Sequence, residues 1–194
     1  MSTAVQVLVL YYSRGGSTQQ LADAIANGIE KAGAEAMMRT VTSDDEAASA
    51  RDLIVANEDL QQCDALVLGS PTRFGHMASG LQRFWETTSR DWLKGVLVDK
   101  PAAVFTSSSS MHGGQESTLL SMMVPLLHHG MMVLGIPYTE PELQQTESGG
   151  SPYGASHVEH AAGPRLSRHE LTLAEQLGYR VARAAQRYSK ENAS

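Results

Sequence analysis

Apolar residues occur along the chain in short continuous runs that alternate with segments of helical periodicity. Continuous runs rich in β-branched residues are typical of strands buried on both faces of a parallel sheet. The first run begins at Val5 and stops at Ser13, where a Gly-rich turn replaces it. Four further strands are predicted, at residues 36–41, 64–70, 101–106 and 131–134.

Helical patterns separate these strands. The first helix is predicted at residues 19–32, where apolar residues repeat on one face. Leu81 and Trp85 indicate a second amphipathic helix, and a third apolar pattern covers residues 119–127. Pro125 lies inside that third pattern and should kink the helix or shift its boundary.

The last third of the chain is mostly polar before a final helix. Ser167 and Glu170 have the spacing of a capping box, which predicts a helix start there. Residues 42–62 are predicted to form a loop with a short helix. Residues 139–164 are predicted to form one long loop, and loops of that length are usually functional or disordered.

A strand followed by a helix, repeated five times, predicts an α/β fold with helices on both faces of a parallel sheet. Right-handed crossovers and five strands favour a doubly wound sheet in the order 2-1-3-4-5. We find no internal repeat and no linker, so residues 1–194 are expected to form a single domain.

The turn after the first strand is made of small and hydroxyl-bearing residues. Gly15 and Gly16 permit a positive φ and let a ligand approach the backbone. Ser17 or Thr18 can cap the following helix, whose N-terminus attracts anions through its unpaired N–H groups. We interpret the turn, with Ser13 as a further donor, as a phosphate site. An ordinary strand–turn–helix corner would explain the same residues about as well.

Two other loops should meet this turn. The loops at residues 71–75 and 107–114 follow the third and fourth strands, and ligands bind where such loops gather at the carboxyl edge. Their backbones can face the edge of a flat ring. The first turn lacks the Gly-Lys-Ser/Thr ending of a triphosphate loop and the full Gly-x-Gly-x-x-Gly spacing. FMN therefore fits better than a dinucleotide.

Composition narrows the classes of partner. The net charge of −6, without a Lys/Arg cluster, argues against nucleic acid. The one cysteine, Cys63, rules out an intrachain disulfide and indicates a reducing compartment. We expect a cytoplasmic protein, because no leader pattern is present and no apolar run approaches the ~20 residues of a membrane span. The histidines lack metal-ligand spacing, so no metal site is expected.

Longer motifs extend these observations: YYSRGGST, GSPTRFGHMASGLQRFW, HGGQE, LLHHGM and SGGSPYGAS. Together they resemble the WrbA family of flavodoxin-like NAD(P)H:quinone oxidoreductases, over nearly the whole chain from residue 5 to residue 188. The PTRFG and HHGM motifs are specific to that group, whereas the phosphate turn is shared by all flavodoxin-like proteins.

The resemblance implies an FMN enzyme that takes a hydride from NADH or NADPH and reduces a quinone by two electrons in a ping-pong cycle. It implies a homotetramer, a dimer of dimers, whose pockets use more than one subunit. His129 and Trp92 would face the flavin or the substrate. The implied FMN-binding residues, His129 among them, are Ser13, Arg14, Gly15, Gly16, Ser17, Thr18, Thr72, Arg73, Phe74, Gly75, Ser107, Ser108, Ser109, Ser110, Met111, His112 and Gly113.

Simpler interpretations compete with these roles. His128 and His129 are adjacent, so at most one can face a pocket, and a histidine pair is favourable at any helix C-terminus. His112 acts as an acid or belongs to an exposed loop. Trp85 shares a face with Leu81 and is assigned to the core, which leaves Trp92 as the pocket aromatic.

The chain departs from its relatives in the phosphate turn. The family often carries an aromatic residue there, close to the nicotinamide, whereas this chain has Arg14 and Gly15. Our hypothesis is that Arg14 replaces the missing contact by pairing with a phosphate of NAD(P)H or of FMN.

Two other functions remain open. An FMN electron-transfer protein of the flavodoxin type would dock to redox partners without NAD(P)H activity of its own, and the acidic charge would suit a basic partner. A protein that has lost flavin and kept a scaffolding role is the third possibility. A Ser/His/Asp hydrolase is disfavoured, because no Gly-x-Ser-x-Gly elbow follows any strand.

Overall fold

A computed structural model describes residues 4–42, 51–159 and 165–191. Its core is a parallel sheet formed by β1 (Gln6–Tyr11), β2 (Glu35–Thr40), β3 (Leu53–Ile54), β4 (Ala65–Pro71), β5 (Pro101–Ser108), β6 (Met132–Val133) and β7 (Ala155–Val158). The strand order is β3-β2-β1-β4-β5-β6, with β7 also paired to β5. All of these pairings are parallel.

Helices lie between the strands and at the end of the chain. They are α1 (Ser17–Lys31), α2 (Asn57–Gln62), α3 (Ser79–Thr87), α4 (Ser89–Leu93), α5 (Gln115–His128), α6 (Glu142–Gln145) and α7 (Arg168–Glu191). Across the described ranges, none of these helices has the length and apolar character needed to cross a membrane.

Strand β1 lies between β2 and β4, and its side chains are buried on both faces of the sheet. Its odd-numbered residues, Val7 and Val9, are buried against α1 and α7. Leu8 and Leu10 face the opposite way and pack against α3 and α5. Successive side chains of a strand point to opposite faces, so a strand covered by helices on both sides must be apolar throughout. This burial explains the continuous apolar run that opens the sequence.

The predicted order of five strands is confirmed for β2-β1-β4-β5-β6, which matches 2-1-3-4-5. Two short strands were missed. Strand β3 pairs with the outer side of β2 within the segment predicted as loop and short helix; residues 43–50 of that segment lie outside the described residues. Strand β7 lies within the predicted long loop, where α6 also forms.

Strands β6 and β7 are two halves of one strand position. Strand β6 pairs with the start of β5, at Pro101 and Ala102, and β7 pairs with its end, from Phe105 to Ser108. The chain leaves the sheet after the first half and returns for the second. A Cβ at Gly154 would lie 2.2 Å from the carbonyl oxygen of Val104, so glycine is required where the chain rejoins β5. Strand β7 was not predicted because the chain between β6 and β7 is mostly polar.

Helix boundaries agree with the sequence in most places. Helix α5 continues through Pro125 to His128, so the expected shift of its boundary is wrong. Cys63 is buried, and burial raises the pKa of its thiol to about 12, so the thiol is protonated and unreactive at neutral pH.

Glu170 anchors the returning segment to α7. The capping box is confirmed, because the Ser167 N–H donates to Glu170 Oε2 at 2.7 Å and the Glu170 N–H donates to Ser167 Oγ at 3.2 Å. Glu170 Oε1 also accepts from the N–H groups of Gly149 and Val158, at 2.8 and 3.1 Å. His157 Nδ1 lies 2.9 Å from Oε2, and both side chains are buried.

These partners decide the charge of Glu170. Burial by itself raises the pKa of the carboxyl, but hydrogen bonds from His157 and from the Ser167 and Val158 backbone lower it to about 2. The folded protein therefore holds Glu170 as a carboxylate that accepts from three chain segments.

Replacing Glu170 tests this anchor. Glu170→Ala removes the acceptor of two buried N–H groups and one partly buried one, and we expect it to lower the free energy of urea unfolding by about 3–5 kcal/mol. The folded pKa of about 2 lies below the ordinary value of 4.5. The stabilisation is therefore complete above pH 4.5 and declines as the pH falls towards 2. Between pH 5 and pH 3 the wild type should lose more stability than Glu170→Gln.

The matched control is Glu175→Ala, on the same helix. Glu175 pairs with Lys31 at 2.7 Å, but the Lys31 side chain is 60% exposed, so this pair contributes about 0–1 kcal/mol. Equal losses from the Glu170→Ala and Glu175→Ala variants would contradict the anchoring role of Glu170.

Candidate functional site

Three loops meet at the carboxyl edge of the sheet, as the sequence predicts. The Thr72 N–H donates to the carbonyl of Ser107 at 2.8 Å, which joins the loop after β4 to the end of β5. The hydroxyls of Thr18 and Ser107 lie 2.8 Å apart and are buried, which joins the turn after β1 to β5. Parallel strands bring their carboxyl ends to one edge, and these two contacts fix the loops against each other there.

The turn after β1 is held by Ser13. Its Oγ accepts from the Gly16 N–H at 3.2 Å and from the Gln19 N–H at 3.3 Å. Gly16 is the N-cap residue, with φ 95°, and no side chain at that position caps the helix. The expectation that Ser17 or Thr18 caps α1 is therefore wrong, because the helix begins at Ser17 and the acceptor comes from Ser13 instead. Gly16 alone, and not Gly15, takes the positive φ.

A cavity of about 410 Å³ opens above this turn. It is lined by Ser13, Arg14, Gly15, Ser17, Thr18, Pro71, Arg73, Ser107 and Glu159. A Cβ built at Gly15 or at Gly16 would meet no atom within 4 Å, so the turn is open on the cavity side. Hydroxyls, two arginines and the N-terminus of a 15-residue helix are donors that suit a phosphate monoester.

The loop after β4 presents mostly backbone. Arg73 pairs with His76 in a short bridge, and Arg73 Nη1 donates to the Thr72 carbonyl at 3.1 Å. Thr72 Oγ1 lies 2.7 Å from the hydroxyl of Thr118 on α5. Phe74 is fully exposed, with φ 53°, and Gly75 follows with φ 82°. A bulky residue held at positive φ is uncommon and is often found at binding sites.

The loop after β5 has a buried base and an exposed tip. Ser107 and Ser108 are buried, and Ser108 Oγ donates to the carbonyl of Ser110 at 2.8 Å. The tip consists of exposed or half-buried residues, namely Ser109, Ser110, Met111, His112 and Gly113. His112 has φ 57°. Two of the three non-glycine residues at positive φ in the described ranges, Phe74 and His112, therefore belong to the loops predicted to hold a ring.

A second, larger cavity adjoins the first. Its volume is about 1,080 Å³, and Arg14 and Arg73 line both cavities. Its remaining wall comes from the loop before α3, from α3 and from the middle of α5, including Arg83 and Val124. The space is large enough for a dinucleotide portion or a flat substrate.

His129 and Trp92 do not reach this edge within one chain. They line a third cavity, of about 230 Å³, with Trp85, Thr88 and His128; it shares Gln82 and Pro125 with the 1,080 Å³ cavity but has no lining residue in common with the 410 Å³ one. Trp92 is half exposed, and its Nε1 donates to the carbonyl of His128 at 2.8 Å. Helix α5 starts at the carboxyl edge and ends 14 residues later, so His129 lies about 20 Å away, near the start of β5.

The tautomer of His129 follows from its neighbour. Thr88 donates its hydroxyl to the Trp85 carbonyl at 2.7 Å, so it must accept from His129 Nε2 at 3.1 Å. Nδ1 is then an unprotonated acceptor, and within residues 4–42, 51–159 and 165–191 this buried atom has no hydrogen-bond partner. Burial lowers the pKa of His129, as does His128, while Asp91 raises it; the net shift is downward, so the ring is neutral at pH 7.

Sequence reasoning missed Glu159 as a residue of the site. Glu159 follows β7 directly, and its carboxylate accepts from the Ser17 hydroxyl at 3.0 Å. Recognising β7 would have placed its carboxyl end beside that of β5. Trp85, by contrast, is buried in the core as predicted. Among the residues the structure describes, no three His, Cys, Asp or Glu side chains converge as a metal site would require.

Comparison with known proteins identifies the family of this chain. The model of the NADPH-dependent FMN reductase family matches residues 5–139. An NAD(P)H dehydrogenase (quinone) of Gluconacetobacter diazotrophicus is 41% identical, covering 95% of this chain and 98% of the relative. One of Rhizobium rhizogenes is 43% identical, over 93% and 96%.

Solved structures share the fold. A flavodoxin, WrbA-like protein from Agrobacterium tumefaciens aligns with a TM-score of 0.69 and 22% identity, over 95% of this chain and 99% of that one. A flavodoxin from the domain Archaea aligns with a TM-score of 0.64 and 19% identity, over 94% and 99%. With a family model that matches residues 5–139 and relatives above 40% identity over more than 90% of its length, the chain belongs to the NADPH-dependent FMN reductase family and, within it, groups with the NAD(P)H dehydrogenase (quinone) proteins.

Proposed function

We propose that the protein is an FMN-dependent NAD(P)H:quinone oxidoreductase that works by two-electron ping-pong transfer. One observation carries the proposal: an open, hydroxyl-lined turn at the N-terminus of α1 is fixed by the Thr18–Ser107 contact to the loop that would hold a flat ring. The names of relatives above 40% identity agree with this activity.

The residues present fit FMN. Its phosphate would lie in the 410 Å³ cavity, where Ser17 and Thr18 supply hydroxyls and Arg14 and Arg73 supply positive charge. The ring would lie between the two strained loops, contacted by Thr72, Arg73, Phe74, Gly75 and the loop from Ser107 to Gly113. Bound FMN would supply the redox chemistry, taking up electrons from NADH or NADPH and passing them to a quinone.

The residues of the protein would position the flavin and its substrates and exclude water from between them. The Thr72 N–H and the Ser107 carbonyl bond to each other, which keeps the two ring-facing loops at a fixed separation. The 1,080 Å³ cavity beside them would receive the nicotinamide nucleotide and the quinone in turn. Arg14 lines both cavities, and there it would pair with a phosphate of FMN or of NAD(P)H.

His129 and Trp92 would act on a flavin held by a neighbouring subunit. Neither residue lines the 410 Å³ or the 1,080 Å³ cavity of its own chain, and His129 lies about 20 Å along α5 from the loop that would hold the ring. The open Nδ1 of His129 would accept a hydrogen bond there, and the exposed face of Trp92 would stack on a flat substrate. The proposal therefore includes a homotetramer of single-domain chains, and its cytoplasmic location rests on the single reduced Cys63.

The activity is tested by adding FMN, NADH or NADPH, and benzoquinone to the purified chain. With oxygen removed, so that quinone is the sole electron acceptor, we expect nicotinamide oxidation that requires both FMN and quinone. Thr18→Val removes the hydroxyl that contacts Ser107 and should weaken FMN binding about tenfold in a fluorescence titration. Thr172→Val is the matched control, because the Thr172 hydroxyl only donates to the Arg168 carbonyl on α7.

FMN binding without nicotinamide oxidation would contradict the enzyme and support an electron-transfer protein of the flavodoxin type. Failure to bind FMN at all would leave the scaffolding alternative.

Arg14→Ala should raise either the FMN dissociation constant or the Michaelis constant for NAD(P)H by about tenfold, because a charge-assisted contact to phosphate is removed. Steady-state kinetics at saturating FMN separate the two effects. Arg187→Ala, which removes an exposed arginine on α7, serves as the control. Unchanged constants in Arg14→Ala would refute the role of Arg14.

Subunit complementation tests the shared pocket. With FMN held well below the raised dissociation constant, a chain carrying Ser13→Ala and Thr18→Val should be nearly inactive, as should a chain carrying Trp92→Ala and His129→Ala. In co-expressed mixed oligomers, about a quarter of the pockets combine the intact turn of one variant chain with the intact Trp92 and His129 of the other. Activity should therefore return to about a quarter of the wild-type value. If no activity returns in mixed oligomers of normal size, His129 and Trp92 do not serve a neighbouring subunit.

A further inference from the structure

A carboxylate occupies the mouth of the phosphate cavity. Glu159 Oε2 accepts a hydrogen bond from Ser17 Oγ at 3.0 Å, and both residues line the 410 Å³ cavity above the turn. Ser17 is the first residue of α1, so this hydroxyl is also one of the donors available to a phosphate. The donor that would hold the cofactor is therefore already paired with an anion from the same chain.

The backbone keeps Glu159 in this place. Its N–H donates to the carbonyl of Ser108 at 2.8 Å, which continues the pairing of β7 with β5 by one residue. The preceding residue, Val158, donates its N–H to the buried carboxylate of Glu170 at 3.1 Å. The chain at Glu159 is thus tied to both β5 and α7, and only the side chain is able to swing away from the turn.

A carboxylate and a phosphate compete for such a site. Both accept from hydroxyls, and both are attracted by the positive end of α1. A bound phosphate and a carboxylate near the same hydroxyl repel each other, and at a few ångströms this repulsion weakens binding severalfold even for a carboxylate exposed to water, as Glu159 is. A phosphate can enter only if the Glu159 side chain leaves the Ser17 hydroxyl, and the negative charge stays nearby after it has left.

We propose that Glu159 is an internal competitor for the phosphate position and determines how strongly the chain prefers a phosphorylated flavin to a flavin without phosphate. This inference rests on the proposed binding of FMN at the turn. Glu159 lowers the affinity for FMN and leaves the affinity for riboflavin, which lacks the phosphate, unaffected. As a result, bound FMN dissociates more readily than it would if the donors of the turn acted without Glu159.

The test compares FMN with riboflavin in two variants of the full chain, freed of bound flavin. Glu159→Gln keeps the shape and a hydrogen-bonding partner for Ser17 but removes the charge, and the FMN dissociation constant should fall about tenfold. The riboflavin dissociation constant should change by less than about twofold. Glu159→Ala should have the same effects as Glu159→Gln: the FMN dissociation constant falls about tenfold and the riboflavin constant changes by less than about twofold. The two variants agree because the charge of the side chain, and not its shape, causes the effect.

Glu30→Gln is the matched control. It removes the same charge from the exposed far end of α1, and neither flavin should respond. If Glu159→Gln leaves FMN binding unchanged or weakens it, the inference is overturned while the proposed function stands. An equal gain for riboflavin and FMN would also overturn it, since the effect would then not depend on phosphate. Binding of neither flavin by the wild type would refute the proposed function and this inference with it.

Discussion

The direction of the strands is the constraint on which the site depends. Every strand pairing in the described ranges is parallel, so the turns after β1, β4, β5 and β7 all emerge at one edge. Parallel strands require long crossover connections, usually helices, and α1 therefore begins at that same edge, beside the 410 Å³ cavity. The Thr18–Ser107 and Thr72–Ser107 contacts then hold the turns together. Without the shared direction, the hydroxyls and the ring-facing loops would not meet.

The strand position beside β5, which β6 and β7 share, has a structural and a chemical consequence. Strand β7 has only four residues, and Glu170 holds it further by accepting from the chain before it, from its end and from the residue before α7. The same anchoring places Glu159 beside the turn after β1. A buried carboxylate that stabilises the fold thus positions an exposed carboxylate that acts on the binding site.

The fold was largely predictable because burial of a strand or helix produces a hydrophobic pattern among residues that are neighbours in sequence. Strands covered on both faces must be apolar throughout, and Val7 to Leu10 show that pattern directly. The capping box of Ser167 and Glu170 is likewise local, since its two hydrogen bonds span three residues. Strand β7 was missed because its neighbours are polar and Gly-rich, and because the contacts that hold it come from residues far away in sequence.

The sequence by itself determined the order of five of the strands, the glycine turn after β1, the loops that gather beside it at the carboxyl edge, and the family to which the chain belongs. Only the tertiary structure decided that Ser13 rather than Ser17 or Thr18 holds the turn, that His129 and Trp92 lie about 20 Å from the edge where the flavin would bind, and that Glu159 faces that edge. The physical reason is the range of the interactions. Periodicity and turn chemistry act between near neighbours, whereas the Ser17–Glu159 contact joins residues 142 positions apart and exists only once the sheet has formed.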